Sequence, residues 1–133
     1  MQAAHLHEDK FLRIFWDEET RIIGIDWKDS TSTMTDEEFR AELKLFADQV
    51  EEKKAPRILV DVSSFRHRIG AETGQWRLKN ISPRYNAAGV QRFAFVFSKD
   101  SQIPPMANES SAGERFLTRS FNSREQAVAW LTE

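Results

Sequence analysis

The sequence predicts an α/β fold: a single mixed sheet opened by an N-terminal hairpin, continued by parallel βαβ units and covered by helices. Three observations predict it. The runs Ile58 to Val62 and Val90 to Phe97 are apolar on both alternating faces, as strands covered above and below must be. Helical sequence lies between them, which makes a βαβ unit. Nearer the N-terminus, Phe11 to Trp16 and Ile22 to Trp27 are joined by Asp17-Glu18-Glu19-Thr20, a polar connection short enough for an antiparallel hairpin.

Taken in order, the hairpin comes first, with Ile23, Ile25 and Trp27 alternating against Gly24 and Asp26. After the loop 29–33, Thr35 is a good N-cap and Glu38 closes a capping box. Met34 can staple onto Phe39. Phe39, Leu43, Phe46 and Val50 form one apolar stripe, and Pro56 stops the helix. Asp36, Glu37 and Glu38 in the first turn and Lys53 and Lys54 at the end complement the helix dipole. This helix reads as scaffold, not as a carrier of chemistry. The strand Ile58–Val62 is central, and the chain leaving its carboxyl end, with Arg66, His67 and Arg68, occupies the rim where open sheets of this class place ligands and partners. Ala71 to Asn80 is helical although Gly74 weakens it, and a short helix with Ser82 as N-cap runs from Pro83 to Ala88, closed by Gly89. In the strand that follows, Phe93, Phe95 and Phe97 share one face and Ala94 and Val96 the other. Ser98 to Glu114 holds Pro104-Pro105, four serines and little periodicity, which marks a long functional or mobile loop. A right-handed parallel crossover brings it beside the loop after Val62. Arg115 to Phe121 is the last strand, and Ser123 to Gln126 is a second capping box opening a helix that turns Ala127, Trp130 and Leu131 inward.

At 133 residues the chain suits one domain, 1–133, able to bury a sizeable core without staples. Cysteine is absent, which excludes disulfides and thiolate chemistry and fits a cytoplasmic location. Apolar runs are only strand-sized, so no membrane insertion is expected. The net charge of −2 is unevenly spread: residues 1–56 hold 14 acidic and 8 basic side chains, whereas 66–92 set six cations against Glu72. Such polarity marks an anion site or a self-complementary surface, against the plainer reading of solvated helix faces.

The ending Ser120-Phe-Asn-Ser-Arg-Glu-Gln-Ala-Val-Ala-Trp-Leu131 resembles the closing strand and helix of SpoIIAA-like, or STAS-type, domains. The order of elements resembles theirs across nearly the whole chain. In the signalling branch of that family, the anti-sigma factor antagonists, a partner kinase phosphorylates a serine just after the central strand. The corresponding stretch here, Arg66 to Ala71, has no serine, and Ser63 and Ser64 fall too early. The related branch resembles the lipid-binding CRAL-TRIO fold and is suspected of holding small apolar ligands, usually with two further helices where this chain has the 98–114 loop.

Asp61, Ser63, Ser64 and His67 include the residue types of a nucleophile, base and orienter, but types in a short window are not geometry, and no nucleophile elbow is present. His5 and His7, beside Glu8 and Asp9, stand two apart as strand ligands can, yet in a terminus expected to fray. No phosphate-cradling glycine motif occurs. No catalytic residue, metal ligand or cofactor is therefore assigned. Arg66, His67, Arg68, Trp76 and Tyr85 are the candidate binding residues, with Trp27 beside them, since Trp, Tyr and Arg anchor pockets and interfaces. For Trp27 and Trp76 the competing reading is burial in the core. Nucleic acid ranks last, because the sheet faces read as covered. The sequence thus predicts a non-enzymatic interaction or ligand-binding module working through 65–76 and 98–114, as a homodimer or with another protein. The alternative is a small enzyme or carrier for an anionic or apolar molecule near His67. Replacing Arg66 and Arg68 together by glutamate is expected to weaken binding without lowering the melting temperature.

Overall fold

The computed structural model describes residues 3–98 and 114–133. A six-stranded sheet runs in sequence order: β1 (Ala4–Glu8), β2 (Leu12–Asp17), β3 (Ile22–Trp27), β4 (Arg57–Asp61), β5 (Arg92–Val96) and β6 (Leu117–Phe121). β1, β2 and β3 pair antiparallel, and β3 to β6 are parallel, with Val60 flanked by Ile25 and Phe95. The mixed α/β sheet is as the sequence predicts, with the parallel pair β4 and β5 inside it. One strand escaped the sequence pattern. Ala4–Glu8 is not frayed: it pairs with β2, bulged between His5 and His7, and its polar sequence hides it because both faces at this edge are partly open.

Helix α1 (Asp36–Lys53) connects β3 to β4, and α2 (Ala71–Asn80) and α3 (Ser82–Ala88) connect β4 to β5. Helix α4 (Arg124–Leu131) closes the chain. The predicted capping box is formed at Thr35 and Glu38, with bonds of 3.1 and 2.9 Å, and Lys54 ends α1 in the left-handed region. At α4 only half a box forms, the Ser123 hydroxyl accepting from Gln126 N–H. Ile81, not Ser82, caps α3. Ser82 is buried and its hydroxyl donates to Glu114 at 2.6 Å, a long-range partner that local sequence cannot show.

Two apolar cores lie on the two sheet faces. The larger packs Ile25, Ile58, Val60 and Phe93 against Phe39, Leu43, Phe46 and Val50 of α1 and Tyr85 of α3. The smaller packs Phe15, Leu59, Ala94 and Val96 against Ala127, Trp130 and Leu131 of α4. The alternation along β5 therefore divides as the sequence predicts. Phe15 lies across Gly24, where a Cβ would stand 2.2 Å from the ring and 2.5 Å from the Leu59 carbonyl oxygen. A glycine is required at that close approach. No helix among the described residues is long and apolar enough to cross a membrane.

Candidate functional site

Parallel pairing of β3, β4 and β5 brings their carboxyl ends to one rim, and the chain after β4 is held there by a chain of hydrogen bonds. Asp61 accepts from the Ser63 N–H at 2.9 Å and its hydroxyl at 2.5 Å, which turns the backbone out of the sheet. Arg66 N–H donates to Thr31 Oγ1 at 2.7 Å, and its guanidinium folds back onto the carbonyls of Ser63 and Phe65. His67 is only 10 % exposed, its Nε2 2.5 Å from Asp36 Oδ1 and its ring against Phe39 and Phe65. Asp36 also accepts from Gly70 N–H at 3.2 Å and the Thr73 hydroxyl at 2.8 Å, and Thr73 in turn accepts from Arg40. The Thr73 hydroxyl, with His67 and Gly70 adding, holds the Asp36 carboxyl below its ordinary range against the opposing effect of burial. Of Arg66, His67 and Arg68, Arg68 alone stands exposed and unpaired among the described residues.

Trp76 is half-buried on α2 with Arg40 and Lys44 of α1 over its ring at 5.8 and 5.7 Å. Trp27 and Tyr85 are core residues, 6 and 2 % exposed. Tyr85 packs on Phe46, Phe93 and Phe116, and burial pushes its phenol up to about 12. Both rings nevertheless help to wall a cavity of about 180 Å³ between the sheet and the helices. Its other walls include Ile25, Phe65, Ile69 and Phe95, and its one charged member is Arg77. Arg77 lies over the Phe93 ring at 5.8 Å and 3.8 Å from Glu114, whose side chain is 3 % exposed. The five residues chosen from sequence thus divide three ways. Arg68 stands exposed on the rim and Trp76 lies half-buried beside it, packed against the larger core under Arg40 and Lys44, Arg66 and His67 fasten the rim, and Tyr85 walls the cavity beneath. The greater part of the 98–114 loop lies outside the described residues.

The nucleophile, base and orienter types are not assembled into a relay, since His67 turns to Asp36 while Asp61 holds Ser63 and lies 3.6 Å from Arg124. A wider, open hollow of about 650 Å³ lies on the α4 face, lined by His5, Arg13, Phe15, Asp26 and Arg124. Its cations are paired, Arg124 with Asp26 at 2.7 Å and Arg13 with Glu8 at 3.5 Å. We therefore place the candidate site at the rim. Sequence reasoning missed Asp36, Thr73, Arg77 and Glu42. Asp36 carried only the signal of a dipole-favoured acid, and Glu42 none. Burial, with Asp9 and Glu38 adding, raises the Glu42 carboxyl to about 8.

Among known families, the model described as SpoIIAA-like matches residues 22–132. No curated protein and no solved structure matches the chain.

Proposed function

Since the chain belongs to the SpoIIAA-like family over residues 22–132, whose membership suggests a regulatory module of the anti-sigma-factor-antagonist kind, we propose that it is a non-enzymatic, ligand-responsive interaction module of the cytoplasm. A protein partner docks on the rim at Arg68 and Trp76, and a small apolar molecule occupies the cavity below. The absence of a serine between Arg66 and Ala71 leaves the family's phosphorylation switch without its acceptor, so control passes to occupancy of the cavity. The observation that carries this reading is the apolar cavity itself, set directly under the loop that would meet the partner. An engineered apolar cavity of roughly 150 Å³ takes up benzene, so about 180 Å³ suffices for a ligand of that class. Arg77, the one charged wall residue, already stands 3.8 Å from Glu114, so a neutral apolar ligand leaves that pair intact while one with an anionic end competes with Glu114 for the guanidinium; the carrier reading rests on the apolar walls. The partner is a second copy, matched by the acidic N-terminal half and the basic 66–92 segment, or another acidic protein surface.

Native mass spectrometry of protein purified from its own host reads bound molecules and stoichiometry together. Methyl NMR with benzene, indole and hexanoate as probes locates the binding. Shifts at Ile25, Val60 and Ile69, with Leu131 on the opposite face unmoved, are expected. Bare protein by mass spectrometry, with none of these methyls responding to saturating probe, would remove the ligand from the proposal.

A further inference from the structure

Three side chains of metal-ligating type meet where β1, the turn after it and α1 come together. His7 stands in β1, Asp9 in the turn and Glu42 midway along α1, one ligand atom of each lying within 4.8 Å of the others. The expectation that kept metal away from this segment was a frayed terminus. Pairing of His7 with Ile14 removes that ground. Asp9 is already oriented: Oδ1 accepts from the N–H groups of Phe11 and Leu12 at 2.8 and 3.1 Å, leaving Oδ2 to His7 Nε2 at 2.8 Å. Lys28 donates to Asp9's backbone carbonyl and to Glu8, so it is engaged elsewhere.

Glu42 supplies an independent observation. Its side chain is buried, 9 % exposed, and Oε2 is sealed from solvent and meets no donor among the described residues; the carboxyl lies within hydrogen-bonding reach of Asp9, so a proton or a cation has to sit between the two carboxylates. Buried carboxylate oxygens are ordinarily satisfied by a donor or a cation. A shallow hollow of about 260 Å³ beside the cluster is lined by Asp9, Lys10, Phe11, Glu38, Ala41 and Glu42.

We propose that His7, Asp9 and Glu42 bind a divalent transition-metal ion of the zinc or cobalt class, through one imidazole nitrogen and two carboxylate oxygens, with water completing the shell. Bonds of about 2.1 Å put tetrahedral ligands roughly 3.4 Å apart, so the widest spread closes by about 1.4 Å. His7, a third exposed, can turn that far. The imidazole disfavours magnesium and calcium, which prefer all-oxygen shells. His7 and Asp9 precede the family match and Glu42 lies within it, and none of the three lines the cavity or the rim, so the site does not depend on the function proposed above.

The test is titration of the full chain, stripped with chelator, by Co²⁺ followed in the visible spectrum and by Zn²⁺ in a calorimeter. One equivalent binds, Zn²⁺ raises the melting temperature, Mg²⁺ does not compete, and His7→Ala and Glu42→Gln each weaken binding by about tenfold or more. His5→Ala leaves it unchanged. Saturable binding absent below about 0.1 mM, wild-type affinity in both variants, or loss in His5→Ala alone overturns the proposal; the first result would leave the cluster as a carboxyl pair sharing a proton. Should Glu42→Gln fail to fold, His7→Ala decides, because that side chain is partly exposed and its removal opens no core cavity.

Discussion

Asp36→Ala should loosen the whole rim. The carboxylate accepts from His67, Gly70 and Thr73, and it also sits in the first turn of α1, where negative charge is favoured. The largest loss is at His67, which is 10 % exposed and would keep an unsatisfied ring N–H away from water. Water replaces the bond to the exposed Gly70 amide, and Arg40 still reaches Thr73. Because Asp36 is itself 36 % exposed, the total is held to about 3 kcal/mol. At about 4 °C per kcal/mol for a chain of this size, the melting temperature falls by about 12 °C, and Asp36→Asn, which keeps one acceptor, loses about half. Hydrogen exchange should show amides 66–75 losing protection ahead of β4. The depressed carboxyl fixes the sign with pH: its contribution is present above its unfolded value, about 4, and is lost as pH falls through the lower folded value. The wild type should therefore lose more stability than Asp36→Ala on acidification below pH 4. A melting temperature within about 3 °C of wild type for Asp36→Ala would refute the claim that this network holds the loop.

Two glycines separate packing from propensity. Gly24→Ala meets the Phe15 ring and the Leu59 carbonyl and should cost about 3 kcal/mol or prevent folding, whereas a Cβ at Gly74 meets nothing within 4 Å and Gly74→Ala should add about 0.5–1 kcal/mol; urea denaturation reads both. The rim arginines should part company in a thermal melt: Arg66→Glu breaks bonds to two carbonyls and costs about 1 kcal/mol, while Arg68→Glu, exposed, stays within about 0.5 kcal/mol and changes partner binding only. Equal destabilisation by the two would mean that Arg68 belongs to the structure.

The strands and helix boundaries were legible because their signals are local. Phe93, Phe95 and Phe97 declare one face of β5 by alternation, and Thr35 with Glu38 declares the start of α1 within four residues. What stayed hidden depends on partners distant in sequence. The buried Glu114 that meets Ser82 and Arg77, the His67 that turns to Asp36 and the Tyr85 beneath the rim look locally like solvated or functional residues. β1 was invisible for a related reason. An edge strand with polar residues on both faces carries no apolar alternation, and only its partner in β2 defines it.

Helix α1, read as scaffold, also touches the rim, the cavity and the β1 cluster. From its first two turns Asp36 and Arg40 hold the loop after β4 and the start of α2, and Arg40 with Lys44 brackets Trp76. Phe39 and Leu43 wall the cavity, Glu42 faces His7 and Asp9, and Asp48 and Glu51 bind Arg84 of α3. A continuous α-helix moves as a unit, so a displacement forced at Glu42 is carried about one and two-thirds turns to Asp36. Metal at the β1 cluster, ligand in the cavity and partner on the rim would then act on the same element. If so, Zn²⁺ should alter hydrogen exchange at 66–75 in the wild type and leave it unchanged in His7→Ala.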